Sequence, residues 1–151
     1  MTPRRVARLA VLLLLVSPAL AAAPASAQDA PAAVAPGDRA AIQSVIRGQI
    51  GAFRRDDETA AFGFASPGIR AQFGDAATFM QMVRQGYAPV YHPAGFAFGA
   101  LVAMDGRTVQ RVELTGPDGA HDLALYFMER EPDGTWRIDG CELLPGVSVG
   151  A

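Results

Sequence analysis

The sequence predicts an α+β domain, with helices first and an antiparallel meander after them, the helices packed on one face of a curved sheet. Three observations predict it. Apolar residues recur at helical spacing between Asp38 and Gly86. Beyond Gly86 the period changes to short runs rich in β-branched and aromatic residues. Those runs are joined by Asp105-Gly106, Gly116-Pro117-Asp118-Gly119 and Glu131-Pro132-Asp133-Gly134, the chemistry of tight hairpins.

The N-terminus, "MTPRRVARLAVLLLLVSPALAAAPASAQDA", precedes the domain. Arg4, Arg5 and Arg8 form a positive region, Leu9 to Val16 an apolar one, and Ala25-Ser26-Ala27 a small-residue cleavage site. That is the layout of a secretory signal peptide over residues 1–27, with Gln28 as the mature start and Ala19-Leu20-Ala21 as an alternative site. Ser17-Pro18 interrupts the apolar run well short of the ~20 residues a spanning helix needs, so no stable membrane anchor is expected after cleavage. The expected location is periplasmic or secreted. Arg4-Arg5 keeps twin-arginine export open beside the general secretory route.

Residues 28–37, "QDAPAAVAPG", are rich in Ala and Pro with no apolar period and read as a flexible linker. From Asp38, placed as a cap, Ile42, Val45, Ile46, Gln49, Ile50 and Phe53 fall on one helical face. Gly48 and Gly51 each weaken that helix by ~1 kcal/mol, and invite another element to approach closely. Asp56 or Asp57 caps a short second helix, which Ser66-Pro67-Gly68 stops. Asp75 opens a third helix carrying Phe79, Met82 and Val83, and Gly86 ends it. Tyr87 to His92 has strand-like composition, but Pro89 and Pro93 confine it to an edge or an irregular segment. The four strands expected are "FAFGALVAM", "TVQRVELT", "HDLALYFMER" and "WRIDGCELL". In the last, Trp136 and Ile138 face the core and Gly140 marks a bulge that shifts the alternation onto Cys141 and Leu143. The domain runs over 38–146, and 147–151 read as a disordered tail.

Composition excludes several functions. Without Arg4, Arg5 and Arg8, ten of the 13 basic residues remain against 15 acids, and no basic patch with interleaved aromatics stands out. Nucleic acid is therefore not an expected partner. The chain has no Lys, which excludes a P-loop and Schiff-base chemistry, pyridoxal phosphate included. It has no Asn, which excludes N-glycosylation and an Asn-based oxyanion hole. No cofactor is implied.

The segments "AIQSVIRGQIGAFRRDD", "AFGFASPGIRAQFGD", "FMQMVRQGYAPVY" and "WRIDGCELLP" resemble, in that order, the bacterial family known as domain of unknown function 4864. The resemblance covers about residues 38–145 and rests on the four motifs together. It implies membership of the NTF2-like superfamily, in which a bent sheet wraps around helices to form a cone open at one end. That superfamily includes isomerases, dehydratases, ligand carriers and interaction modules, so the fold does not name an activity.

The lone Cys141 sits in a strand beside Glu142, a setting for a small buried apolar residue; intermolecular pairing and nucleophilic attack are the alternatives. "GVSVG" around Ser148 matches a nucleophile elbow in letters only, because no helix or triad partner follows it. His92, His121 and Cys141 are too few and too far apart in sequence to spell a metal site. His121 reads as solvated. His92, between helices and sheet, is set where a cone's mouth would lie, against the ordinary role of a loop anchor. Asp139 is the acid placed near such a pocket, and Arg137 shares its strand face at i, i+2, so the two can pair with each other or with a neighbouring strand.

Two functions follow. The first is non-catalytic binding of a small apolar ligand or a protein partner, with Tyr87, Tyr91, His92, Phe96 and Tyr126 as ligand-binding residues, in a protein that can also form a homodimer. The second is a cofactor-free proton-transfer enzyme of isomerase or dehydratase type, with Asp139 or His92 as base. We expect protein exported by its native host to have the intact mass of a chain beginning at Gln28; a mass retaining residues 1–27 would contradict cleavage.

Overall fold

The computed structural model describes residues 34–146. The expected signal peptide, most of the expected linker and the expected tail lie outside the described residues. The described chain runs α1 (Pro36–Arg54), α2 (Glu58–Gly63), α3 (Pro67–Phe73), α4 (Ala76–Gly86) and α5 (Ala88–Tyr91), then β1 (Gly95–Met104), β2 (Arg107–Thr115), β3 (His121–Arg130) and β4 (Trp136–Pro145). The strands form one open, curved antiparallel sheet in the order β1-β2-β3-β4.

Helix α1 buries the expected stripe of Ile42, Ile46, Gln49, Ile50 and Phe53 against the sheet. It starts two residues before the expected cap. Pro36 occupies its first turn, where a preset φ and a missing N–H cost nothing. Asp38 therefore caps nothing; its carboxylate accepts the Trp136 indole N–H at 3.1 Å and pairs with Arg130 at 3.4 Å. Gly48 has the reason its position suggested. A Cβ there would lie 2.5 Å from Phe64 Cζ, so the aromatic ring rests directly on the helix backbone.

Asp57 caps α2 by accepting from the Ala60 N–H at 3.0 Å. Ser66-Pro67-Gly68, expected to stop a helix, also starts one. Ser66 Oγ accepts the Ile69 N–H at 3.2 Å and Pro67 opens α3, the Ser-then-Pro pairing that favours a helix start. Asp75 caps α4 through the Thr78 N–H at 2.7 Å. The segment expected to be irregular contains the single turn α5, because Pro89 sits in its first turn, where a helix tolerates it.

The sheet matches its expected strands closely. Asp105 and Gly106 both have positive φ, as a tight two-residue hairpin requires. Asp118 and Asp133 accept from the backbone N–H groups of Ala120 and Thr135, closing the other two hairpins. Val112, Leu114, Ala124, Tyr126, Met128, Trp136 and Ile138 join the helices in one core. The β4 bulge falls at Asp139: Phe127 pairs with Gly140 and Met128 with Ile138, so Asp139 has no opposite residue. A second irregularity in β1 sets Gly99 and Ala100 against Arg111, and the buried Gln110 amide donates to the Gly99 and Arg111 carbonyls there.

We expect Gly48→Ala to destabilise the domain by about 1 kcal/mol. The ~1 kcal/mol gained in helix propensity is outweighed by the ~1–3 kcal/mol of displacing a packed ring. Denaturant unfolding checks the sign.

Candidate functional site

A cavity of about 190 Å³ lies between the helices and the β3–β4 half of the sheet. Gln49 and Phe53 of α1, Phe79 and Val83 of α4, and Val90 of α5 form its helical side. Tyr126 of β3 with Ile138, Gly140 and Cys141 of β4 form its sheet side. Ala65, Ile69, Gln72 and Phe73 close a third wall from α3 and the segment before it. Among the lining, Ile69, Phe73, Met82, Tyr87 and Cys141 are partly exposed and Gln72 is exposed, which places the opening between α3, α4 and β4.

The β4 bulge creates the sheet wall. Strict alternation from Ile138 would turn Cys141 to the opposite face; the extra residue returns it to the helix side, where it packs on the core with Leu143. The α3 wall is tied to the same point. Ile138 N–H donates to the Phe64 carbonyl at 2.9 Å and Ser66 N–H to the Ile138 carbonyl at 2.8 Å. The Ser66 hydroxyl donates to Asp139 Oδ1 at 2.7 Å. Tyr87 fixes the opening's far side by donating to the Cys141 carbonyl at 3.1 Å.

The lining carries no Asp, Glu, His, Arg or Lys. Its titratable groups are Tyr87, Tyr126 and Cys141, and burial holds all three in the neutral form. Burial pushes Tyr126 well above the usual phenol range and Tyr87 above it to a lesser degree. Burial, with the charge of Glu142 adding to it, pushes the Cys141 thiol up to about 12. Tyr126 is wholly buried and its hydroxyl has no hydrogen-bond partner. Gln49, 3 % exposed, donates to the Ala61 carbonyl at 3.2 Å.

Of the residues named from sequence, Tyr87 and Tyr126 line this cavity; Tyr91, His92 and Phe96 are not among its lining. Tyr91 and His92 instead surround Asp56 on the surface. The Tyr91 hydroxyl donates to Asp56 and accepts from Arg84 Nε at 3.0 Å, while His92 Nε2 lies 3.8 Å from the same carboxylate. Phe96 packs edge-on against Phe98 and lies under the Arg54 guanidinium. Asp139 is not in the lining either, because both its oxygens are engaged, Oδ1 by Ser66 and Oδ2 by Arg107 at 2.8 Å. Its expected neighbour Arg137 turns away and donates to the Gly63 carbonyl at 2.7 Å. Among the described residues no group of three His, Cys, Asp or Glu gathers as a metal site. Sequence reasoning missed Ile69, Gln72 and Phe73 because it missed α3. Gln49 carried a signal, as the one amide in the α1 apolar stripe.

The family model for domain of unknown function 4864 matches residues 35–150. The chain belongs to that family. No curated protein and no solved structure matches the chain. The match spans every described helix and strand, so the cavity is built wholly from family sequence.

The raised Cys141 thiol has a measurable consequence. The folded protein holds this proton to about pH 12, while an unfolded chain releases it near 9. Its contribution to stability is therefore complete below pH 9 and falls as pH rises towards 12. We expect Cys141→Val to flatten that alkaline loss in denaturant titrations, and native Cys141, partly exposed but held as the neutral thiol, to react slowly with thiol reagents at neutral pH; modification within seconds would contradict a protonated thiol.

Proposed function

We propose that this protein is an exported, non-catalytic binding domain that holds a small, largely apolar molecule in the cavity of an NTF2-like cone. The observation that carries the reading is the cavity itself, roomy, apolar and without an ionised group. Its volume exceeds the ~150 Å³ at which an apolar protein cavity takes up benzene. Burying apolar surface there provides the binding free energy, at roughly 25 cal/mol per Å². A preformed site also avoids the cost of ordering loops around the ligand.

Proton-transfer chemistry is less well supported. A general base must reach the proton it abstracts, and neither Asp139 nor His92 is part of the lining. Asp139 is spent on Ser66 and Arg107, and His92 faces Asp56 at the surface. Tyr126, Tyr87 and Cys141 are held protonated by their surroundings. The cavity can hold a molecule and shield it from water, and it supplies nothing to ionise it.

Isopropylbenzene is a suitable neutral probe. We expect it to raise the melting temperature of the mature protein in a concentration-dependent way and to add ~2.7 kcal/mol of stability at a hundredfold excess over Kd. Val83→Phe places a ring in the cavity and should weaken that binding about tenfold or more while folding is kept. No thermal shift with the wild type would overturn the reading.

A further inference from the structure

The sheet has two edges, and they are finished differently. On the β4 edge, Phe64 and Ser66 hydrogen-bond to Ile138, and Ala65 bridges to the same residue. β4 also carries Arg137, Asp139 and Glu142, charges of the kind that keep a strand edge from pairing further. The β1 edge has neither protection. Its ten residues, Gly95–Met104, include no charged side chain, and none of them is buried. Among the described residues only β2 pairs with it. Alternate residues of β1 therefore turn backbone N–H and C=O groups outward without a strand to receive them. The irregularity between Phe98 and Leu101 divides that edge into two short stretches, residues 95–98 and 101–104.

Two cations stand beside the first stretch. Arg47 and Arg54 are exposed on α1, and a spacing of about two turns puts them on one face of it. The Arg47 guanidinium lies 4.8 Å from the centre of the Phe98 ring, and that of Arg54 5.6 Å from the centre of the Phe96 ring. Arg54 is held in place by donating to the Pro93 carbonyl at 2.9 Å. Phe96 and Phe98 pack against the core, so both guanidiniums are on the helix side of the sheet. A guanidinium resting on a ring keeps N–H groups at its edge free to donate to a carboxylate. Among the described residues, neither Arg47 nor Arg54 forms a salt bridge. On the other side of the sheet the charges next to β1 cancel, since β2 sets Glu113 opposite Ala97 and Arg111 beside Gly99.

We propose that the β1 edge is a docking site for an extended acidic segment of a partner protein, which adds a fifth strand along residues 95–98 and sets Asp or Glu side chains against Arg47 and Arg54. Backbone hydrogen bonds provide the attachment, and the two guanidiniums choose the partner. Strand alternation fixes the pattern they read. Every second residue of the added strand points to the helix side, so the segment is acidic at alternate positions, with uncharged residues between them beside Ala97. This surface is separate from the cavity, and the proposal does not depend on what the cavity holds.

Three capped octapeptides test it by fluorescence anisotropy: one alternating Asp with Val, one alternating Asn with Val, and the Asp-Val sequence N-methylated throughout. We expect the Asp-Val peptide to bind with a Kd below about 1 mM, and more weakly as salt is added. The Asn-Val peptide should bind about tenfold more weakly. The N-methylated peptide keeps its charges, loses its backbone donors and should not bind measurably. Arg47→Gln combined with Arg54→Gln should weaken the Asp-Val peptide about tenfold and leave the Asn-Val peptide within about twofold. Should that variant fold poorly, amide hydrogen exchange of the wild type gives a second reading. Amides within residues 95–98 gain protection when the Asp-Val peptide is bound. No binding at about 1 mM, equal binding of the N-methylated peptide, or protection confined to other segments overturns the docking site. Asn-Val binding as tightly as Asp-Val, or indifference to the double substitution, overturns the acidic partner. A dimer joined through β1 that shuts the peptide out overturns the proposal too.

Discussion

Asp139, one residue more in β4 than β3 can pair, sets the geometry on which the site depends. The bulge lets Ile138 and Cys141, three positions apart, both face the helices. It also frees the Asp139 carboxylate to take the Ser66 hydroxyl on one oxygen and Arg107 on the other. Ser66 passes the constraint on, since its Oγ accepts from the first turn of α3 while donating to Asp139. Two backbone hydrogen bonds between Phe64–Ser66 and Ile138 run alongside. A seven-residue helix has little stability of its own. Here it is held at its N-terminus by a buried, fully engaged hydroxyl, and so can serve as a wall.

The charges are arranged around the cavity and not in it. Asp139 balances Arg107 at the bulge, and Asp38 takes both Arg130 and the Trp136 indole where α1 meets the sheet. Asp56 gathers Arg84, Tyr91 and His92 at the turn after α1, tying that turn to α4 and α5. Every pair has at least one exposed partner, and each contributes little to stability. Their effect is positional: they fix the ends of the helices whose middles enclose the cavity. The interior is left to apolar contacts and a few neutral hydrogen-bonding groups, which is why its phenols and thiol stay protonated.

Much of the fold was legible in the sequence because its signals are local. The four strands and three hairpins follow from alternation and Asp-Gly chemistry, and α1 from a single stripe of Ile and Phe. The missed helices have local causes too. Ser66-Pro67 reads equally as a stop and a start, and α5 is one turn in which Pro89 takes a first-turn position that composition does not reveal. The bulge was legible from Gly140, yet its consequences were not. Whether Asp139 faces a pocket or a partner depends on Ser66 and Arg107, which are 73 and 32 residues away. For the same reason Tyr91 and His92, adjacent in sequence to Tyr87, belong to a surface cluster around Asp56, while Tyr87 and the distant Tyr126 meet at the cavity.

The central claim is that the space between α1, α4 and β4 is a real, apolar, enterable cavity. Xenon tests it most directly, being neutral, polarizable and indifferent to hydrogen bonding. In crystals of the protein held under xenon gas, the account predicts a xenon atom in van der Waals contact with Phe53, Val83 and Ile138. Xenon found only at the surface, with the lining side chains collapsed onto one another, would contradict it.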